Sequence, residues 1–215
     1  MPESTLLVEV LESMGGLSRQ VLEEEEGPDA MAESGQENWR LSPLGENAAR
    51  LRGANGLLLA LALAPGTDRE APADHLTEGA FAGFAAALVT AESIGGRMAS
   101  SNLPPSEEVL LALEAFEPTL EALQEAQGAQ GVTSATEIDL RMVGAVEAWA
   151  AGVEFKELMS ACGGLDEGDL ARVLRRVREL LLQLPSLPFI PKEIVQKARS
   201  AADAMDRAPI SNMVE

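Results

Sequence analysis

The sequence LDEGDLARVLRRVRELLLQLP, residues 165–185, decides the fold class of this chain. Asp166 stands where an N-cap residue belongs, because its carboxylate can accept the free backbone N–H groups of a first helical turn. Pro185 and Pro188 end the segment. Between them, apolar residues recur at the spacing of one helix face: Leu170, Val173, Leu174, Val177, Leu181 and Leu184. The segment therefore predicts an amphipathic helix from 166 to about 184.

Three arginines lie off the apolar face of this predicted helix. Arg172, Arg175 and Arg176 follow the i, i+3, i+4 spacing, so they share one surface. We call them the arginine face. Two interpretations stay open: the arginines hold nucleic-acid phosphates, or they form a solvated face that is ion-paired to neighbouring acids.

The preceding sequence VEAWAAGVEFKELM, residues 146–159, predicts a helix that ends near Gly152 and a short second helix. Trp149 is the aromatic candidate for RNA binding, because an exposed ring can stack on a base. However, Trp149 falls on the same face as Val143, Val146 and Ala150. That position favours a role in the core.

Residues 166–169, DEGD, also match the DExD pattern of helicase ATPases. We reject that assignment, because such a box ends a buried strand and requires a phosphate-binding loop upstream. Here Cys162, Gly163 and Gly164 precede the pattern, a helix follows it, and no G-x-x-x-x-G-K-[ST] motif occurs in the chain. The four letters are interpreted as a helix cap.

The composition favours an all-α, multi-helix bundle. The chain has 215 residues, 46% of them hydrophobic and only 3% aromatic, and its Ala, Leu and Glu content suits helices. We find no strand with convincing period-two alternation. The predicted helices are 43–50, 55–64, 73–91, 106–127, 137–151, 154–161, 166–184 and 191–206.

Charge is unevenly distributed along the chain, whose net charge is −19. Residues 1–40 hold ten acids against two arginines, and we predict that this acidic segment is flexible or loosely docked. The helical domain is predicted over 41–215, with Ser42 as N-cap and Pro43 at the first helical position. Residues 166–207 hold eight basic and seven acidic side chains. A local surface there can therefore bind phosphate despite the negative net charge of the chain.

Other classes of site find little support in the sequence. The single cysteine, Cys162, excludes an internal disulfide and fits a reducing compartment. The single histidine, His75, lies in an acidic loop and is interpreted as a surface residue. We predict no catalytic residue, no metal site, no cofactor and no membrane span.

Three segments in order resemble the DSHCT domain, the helical C-terminal domain of Ski2-like, superfamily-two DExH-box RNA helicases. They are residues 146–159, residues 165–185 and the terminal AADAMDRAPIS at 201–211. Upstream, LSPLG and LRGANGLLLALAL resemble the segment leading into that domain. The likeness runs from about Leu41 to Ser211 and is closest to the cyanobacterial and chloroplast branch.

The resemblance implies an accessory role in a helicase but no enzymatic activity of this chain on its own. Such helicases carry two ATPase domains before this region, and this chain has neither, so ATP hydrolysis and unwinding do not carry over. We expect an RNA-contacting accessory domain of, or derived from, an ATP-dependent RNA helicase in RNA processing or turnover. The alternative is a non-catalytic helical adaptor that docks on a helicase or an RNA-processing complex.

The expected partners follow from these two hypotheses. They are single-stranded RNA, bound weakly and with strong salt dependence, and the ATPase core of a helicase or an RNA-processing complex. The resemblance points to a chloroplast or a bacterial cytoplasm as the location. An enzyme in its own right is the third and least favoured hypothesis, because no nucleophile–base pair or nucleotide loop is visible.

Overall fold

A computed structural model describes residues 3–19, 39–53, 55–95 and 100–212. Within these ranges the chain forms nine α-helices and two short strands, which confirms the predicted all-α, multi-helix fold. The strands are β1 (Leu17–Arg19) and β2 (Trp39–Leu41). The helices are α1 (Glu3–Ser13), α2 (Pro43–Arg50), α3 (Gly56–Leu63), α4 (Glu78–Ile94), α5 (Glu107–Ala129), α6 (Val143–Ala150), α7 (Phe155–Ala161), α8 (Glu167–Gln183) and α9 (Lys192–Met205).

Side-chain caps set the first residue of several helices. The Ser42 hydroxyl accepts the Gly45 N–H at 3.1 Å, and Pro43 occupies the first position of α2, as predicted. The carboxylate of Asp166 accepts the Asp169 N–H at 3.1 Å and begins α8. These contacts satisfy backbone donors that the helices leave without an internal partner.

Two predicted helix starts are wrong, and both errors have the same physical cause. The structure begins α4 at Glu78 rather than at 73, because Thr77 caps the helix and the Asp74 carboxylate accepts the Ala71 N–H at 2.8 Å in a preceding turn. Likewise, α6 begins at Val143 rather than at 137, because Asp139 accepts the Arg141 N–H at 3.0 Å. Short polar side chains offer the backbone an alternative to the helix at both places.

Two short strands also form, although the sequence shows no convincing period-two alternation for them. β1 and β2 pair antiparallel, with Leu17 opposite Leu41 and Arg19 opposite Trp39. Ser42 joins this pair to α2, since its hydroxyl donates to the Gly15 carbonyl at 2.7 Å. The pairing crosses the predicted domain boundary at residue 41. The segment predicted to be flexible or loosely docked covers residues 1–40. Its described residues 3–19 form α1 and β1, with Val10 buried in the core, whereas residues 20–38 lie outside the described residues.

The core is organised around α4, which is buried along most of its length. Helices α5, α6, α8 and α9 all pack against it. Its two phenylalanines, Phe81 and Phe84, are fully buried, and the Phe84 ring meets Phe116 of α5 edge-on at 6.4 Å between centroids. The other buried positions of α4 are mostly alanine and glycine, so neighbouring helices approach it closely.

The junction of α6 and α5 shows how tight this packing is. A Cβ added to Gly144 would collide with the backbone carbonyl oxygens of Leu103 and Pro104. One turn further along α6, the Glu147 carboxylate accepts the N–H of Ser106 at 2.9 Å and its hydroxyl at 2.5 Å. Glu147 therefore holds Ser106, the N-cap of α5, in place. This contact requires that α6 lie close to the residues that precede α5.

We expect Gly144→Ala to lower the free energy of unfolding by about 1–3 kcal/mol, because overpacking against backbone cannot be relieved by a rotamer change. The matched control is Gly128→Ala in α5, where an added Cβ meets nothing within 4 Å. That control should gain up to about 1 kcal/mol from the higher helix propensity of alanine. Urea denaturation of both variants measures the difference. A Gly144→Ala variant as stable as the wild type would contradict the packing argument.

An ion pair fixes the turn before α6. The Arg141 guanidinium donates to both Asp139 carboxylate oxygens at 2.5–2.9 Å and to the Gly95 carbonyl at 3.0 Å. Burial alone would raise the pKa of the Asp139 carboxyl, but the hydrogen bonds and charge of Arg141 outweigh burial and lower it below its usual value. The charged form of Asp139 therefore stabilises the folded state.

Asp139→Asn should cost about 1–3 kcal/mol at pH 7, because it leaves the half-buried guanidinium without its carboxylate. The folded pKa lies below the ordinary value of 3.8, so this difference should persist above that value and shrink as pH falls through the folded pKa. Denaturation of both proteins between pH 2.5 and 7 measures it, with exposed Asp203→Asn as the control for loss of one charge. A pH-independent difference would show that the Asp139 charge is not involved.

Candidate nucleic-acid interface

Helix α8 buries the apolar face that the sequence predicts. Leu170, Val173, Leu174, Val177 and Leu181 are each at most 1% exposed. They pack against α4 and α9, which lie on the inner side of α8. The three residues of the arginine face consequently lie towards its outer side, as their spacing requires.

Two of these arginines form ion pairs with acids around them. Arg172 is exposed and donates to Asp169 at 2.8 Å, one turn earlier on α8. Arg176 reaches Glu179 at 3.3 Å and Glu92, at the end of α4, at 3.5 Å. Both residues therefore have acidic partners in the structure. Contact of the same residues with RNA stays a prediction.

The third arginine turns towards the C-terminal residues. The Arg175 Nε donates to the Ala171 carbonyl at 3.4 Å, and the side chain lines a small cavity of about 190 Å³ beside Arg178. Arg178 pairs with Asp206 at 2.7 Å, and its Nε is buried without a hydrogen-bond partner among the described residues. The positive side of α8 is therefore wider than the three residues that the sequence singled out.

The loop after α2 extends this positive surface. The Arg176 guanidinium lies directly over Gly53, where a Cβ would collide with it and where φ is +105°. The neighbouring Arg52 is exposed, and Gln183 of α8 holds its backbone at both ends: Oε1 accepts the Arg52 N–H at 2.7 Å, and Nε2 donates to its carbonyl at 3.3 Å. Sequence reasoning missed Arg52, because its place beside α8 depends on a contact between distant residues.

The prediction that Trp149 contacts RNA is corrected by its burial. Its ring is 0% exposed, packs edge-on against Phe155 at 6.0 Å, and donates its indole N–H to the Met205 carbonyl at 3.1 Å. A base stacks only on an exposed ring, so this placement removes Trp149 from the candidate site. The core role favoured by its helical neighbours is the one observed.

Arg207 closes the remaining face of Trp149. Its guanidinium carbon lies 3.8 Å from the centre of the indole ring, in cation–π geometry. The same guanidinium donates to the carbonyls of Ala204 at 3.1 Å, Gly152 at 3.3 Å and Val153 at 3.2 Å, and also to that of Trp149. Arg207 therefore caps the carboxyl ends of α6 and α9 together.

Comparison with known proteins identifies the family. The family model described as the DSHCT (NUC185) domain matches residues 38–212. This chain belongs to the DSHCT family. The chain is also similar to the DExH-box ATP-dependent RNA helicase DExH15, chloroplastic, of Arabidopsis thaliana, with 40% identity over 174 residues. That match covers 80% of this chain but only 14% of the Arabidopsis protein.

The three segments that carried the resemblance occupy distinct places in this DSHCT domain. Residues 146–159 supply the buried Trp149 and α7, residues 165–185 supply α8, and residues 201–211 supply Arg207. Two of these segments meet at the Trp149–Arg207 contact.

Within the part of the DSHCT domain that the structure describes, no group of three or more His, Cys, Asp or Glu side chains is placed to hold a metal ion. No helix there is long and apolar enough to cross a membrane.

Arg207→Met should lower the free energy of unfolding by about 2–4 kcal/mol, because four carbonyl oxygens lose a charged donor and the indole loses its cation. The matched control is Arg199→Met on the exposed side of α9, which should change stability by no more than about 0.5 kcal/mol. Thermal and urea denaturation measure both. If the two variants were equally stable, Arg207 would not be a structural clamp.

Proposed function

We propose that this chain is an RNA-contacting C-terminal accessory domain of, or derived from, an ATP-dependent RNA helicase that acts in RNA processing or turnover. The observation that carries the proposal is the outward position of Arg172 and Arg176 on α8 in a chain of the DSHCT family. The 40% identical Arabidopsis relative is named as an ATP-dependent RNA helicase, which supports the same class.

The ion pairs on α8 are compatible with phosphate binding. Arg172 is 45% exposed and its partner Asp169 is 8% exposed, whereas Arg176 is 26% exposed and its partner Glu179 is 62% exposed. An ion pair to an exposed acid such as Glu179 contributes about 0–1 kcal/mol, so an RNA phosphate exchanges for Glu179 at small cost, while Arg172 keeps Asp169 and offers a phosphate its remaining N–H donors. The exchange releases counterions from the RNA, and binding weakens steeply as salt rises.

The role of the domain in this proposal is to position RNA rather than to act on it. Guanidinium groups on phosphates hold the strand without reading its sequence. ATP hydrolysis and strand separation belong to an ATPase core, and we propose that core, or an RNA-processing complex, as the protein partner. The chain on its own is then not an enzyme and needs no cofactor. We propose a chloroplast or a bacterial cytoplasm as its location, since the Arabidopsis relative is named as chloroplastic.

The test is fluorescence-anisotropy titration of the intact chain with a labelled single-stranded oligo(U) RNA over a salt series. Three phosphate contacts predict a slope of log K against log [salt] of about −2, at about −0.7 per contact. The double substitution Arg172→Gln and Arg176→Gln should reduce the magnitude of that slope by about 1.4.

The matched control is the double substitution Lys156→Gln and Arg199→Gln, which removes two exposed positive charges from α7 and α9. It should leave the slope unchanged. Equal slopes in the α8 variant and the control would remove the arginine face from the proposal. No binding by the wild type even at low salt would favour the adaptor role, with a helicase core as the partner to test next.

A further inference from the structure

We infer that Phe189 is a base-stacking platform at the end of the positive surface of α8. This inference rests on the proposed function and adds to it the residue that receives an RNA base. Phe189 lies in the loop between α8 and α9, in the sequence LPFIP at 187–191. Phe189 lies outside the three segments that carried the resemblance to the DSHCT domain, which are residues 146–159, 165–185 and 201–211.

Phe189 is the most exposed aromatic residue in the described part of the chain. It is 36% exposed, whereas Phe81, Phe84, Phe116 and Trp149 are at most 1% exposed. Trp39 and Phe155 are only partly accessible. A base can therefore reach the Phe189 ring, which the buried Trp149 does not allow.

Hydrogen bonds from Asn47 of α2 hold the backbone of Phe189 in place. Asn47 of α2 is 0% exposed, and its side-chain amide donates to the Phe189 carbonyl at 2.7 Å and to the Ala64 carbonyl at 2.9 Å. The Asn47 side-chain oxygen Oδ1 accepts the Phe189 N–H at 3.2 Å. Flanking prolines, Pro188 and Pro191, further restrict the loop. A ring fixed in this way loses little conformational entropy when a ligand stacks on it.

Two arginines follow Asn47, the anchor of this ring, in the sequence. Arg50 lies one turn after Asn47 on α2, its side chain is 55% exposed, and it forms a long ion pair of 3.6 Å to Glu46. Arg52 follows, is exposed, and makes no side-chain hydrogen bond or ion pair within the described ranges. Gly53 contacts Arg176 and Gln183 binds the Arg52 backbone, so Arg52 lies beside the carboxyl end of α8. Asn47 connects helix α2, which leads to Arg52, with Phe189. The arginines that the inference uses are Arg172, Arg176, Arg52 and Arg50.

This arrangement matches single-stranded RNA better than a protein or lipid surface. Nonspecific single-strand sites combine basic side chains along the backbone with an aromatic ring for the bases. Here one exposed ring follows the carboxyl end of α8, the helix that carries Arg172 and Arg176, and such a ring contacts a base face without regard to the identity of the base. The inference therefore names a single-stranded RNA segment, with phosphates on the arginines and one base on Phe189.

The experiment compares Phe189→Ala and Phe189→Leu with the wild type in the oligo(U) titration described above. Loss of one stacked base should weaken binding about 5- to 150-fold at constant salt. Phe189→Leu keeps the loop apolar but removes the ring, so it should weaken binding as Phe189→Ala does. Phe189→Tyr keeps the ring and should bind like the wild type. All variants should retain the salt slope, because the phosphate contacts are unchanged.

A second probe separates stacking from folding. An abasic oligomer of the same length keeps the phosphates but offers no base, so the wild type should bind it 5- to 150-fold more weakly than oligo(U). The Phe189→Leu variant should bind the two oligomers alike. If the wild type does not distinguish them, or Phe189→Leu binds oligo(U) as the wild type does, the inference fails while the proposed function stands. If the wild type binds neither oligomer at low salt, both fail.

Discussion

Close packing around α4 is the constraint on which the rest of this structure depends. The helix is buried on several sides at once, and half of its buried positions are alanine or glycine. A larger side chain at Gly83 would strike Glu147 of α6, and Glu147 is the residue that holds the N-cap of α5 through Ser106. One small residue therefore determines the position of three helices, because interiors packed at this density transmit a displacement rather than absorb it.

Polar groups inside this tight assembly are satisfied by specific partners. The buried Thr90 hydroxyl donates to the Ala86 carbonyl at 2.7 Å. Lys197 of α9 donates to the Asp74 carbonyl at 2.6 Å and lies 5.7 Å from the centre of the Phe81 ring, while burial lowers the pKa of its ammonium. Such contacts fix α9 and the loop before α4 against the core, because a buried donor without a partner is costly.

The same packing explains the surface of α8. Because α4 and α9 occupy its inner side, the arginines are left outside, where acids of α8 itself and of α4 meet them. Arg207 and Trp149 are excluded from that surface, since they complete the junction of α6 and α9. In our proposal the domain is a rigid helical support that presents arginines and one fixed aromatic ring to RNA.

Much of this architecture is predictable from the sequence where the signal is local. Asp166, Ser42 and Pro43 mark helix starts through capping chemistry that involves neighbouring residues only. The periodicity of residues 165–185 gives the buried and exposed sides of α8. The start of α6, six residues later than predicted, was not predictable in this way. The sequence pattern of Asp139 and Arg141 is also compatible with a helix, and only the structure shows the turn that they form instead.

Features that depend on distant contacts were out of reach of the same reasoning. The β1–β2 pair joins residues about twenty positions apart, and each strand has only three residues, too few to show a period of two. In the sequence, Phe189 is only a residue of the segment that ends α8. Its hydrogen bond with Asn47, 142 residues away, is known only from the structure. Similarly, the position of Arg52 beside α8 depends on the hydrogen bond between its backbone and Gln183. Candidate residues on one helix were thus predictable, whereas the extension of the site across elements was not.

The most direct test of the central claim is to map where RNA contacts the intact chain by amide chemical-shift perturbation. In ¹H–¹⁵N spectra recorded at low salt, titration with single-stranded oligo(U) should shift resonances of α8 from Arg172 to Gln183, of residues 50–53 and of the loop around Phe189. Helix α5, whose 23 residues include six acids and no base, should remain unchanged. Shifts centred on α5, or no shifts at all, would contradict the assignment of α8 as the RNA-contacting surface.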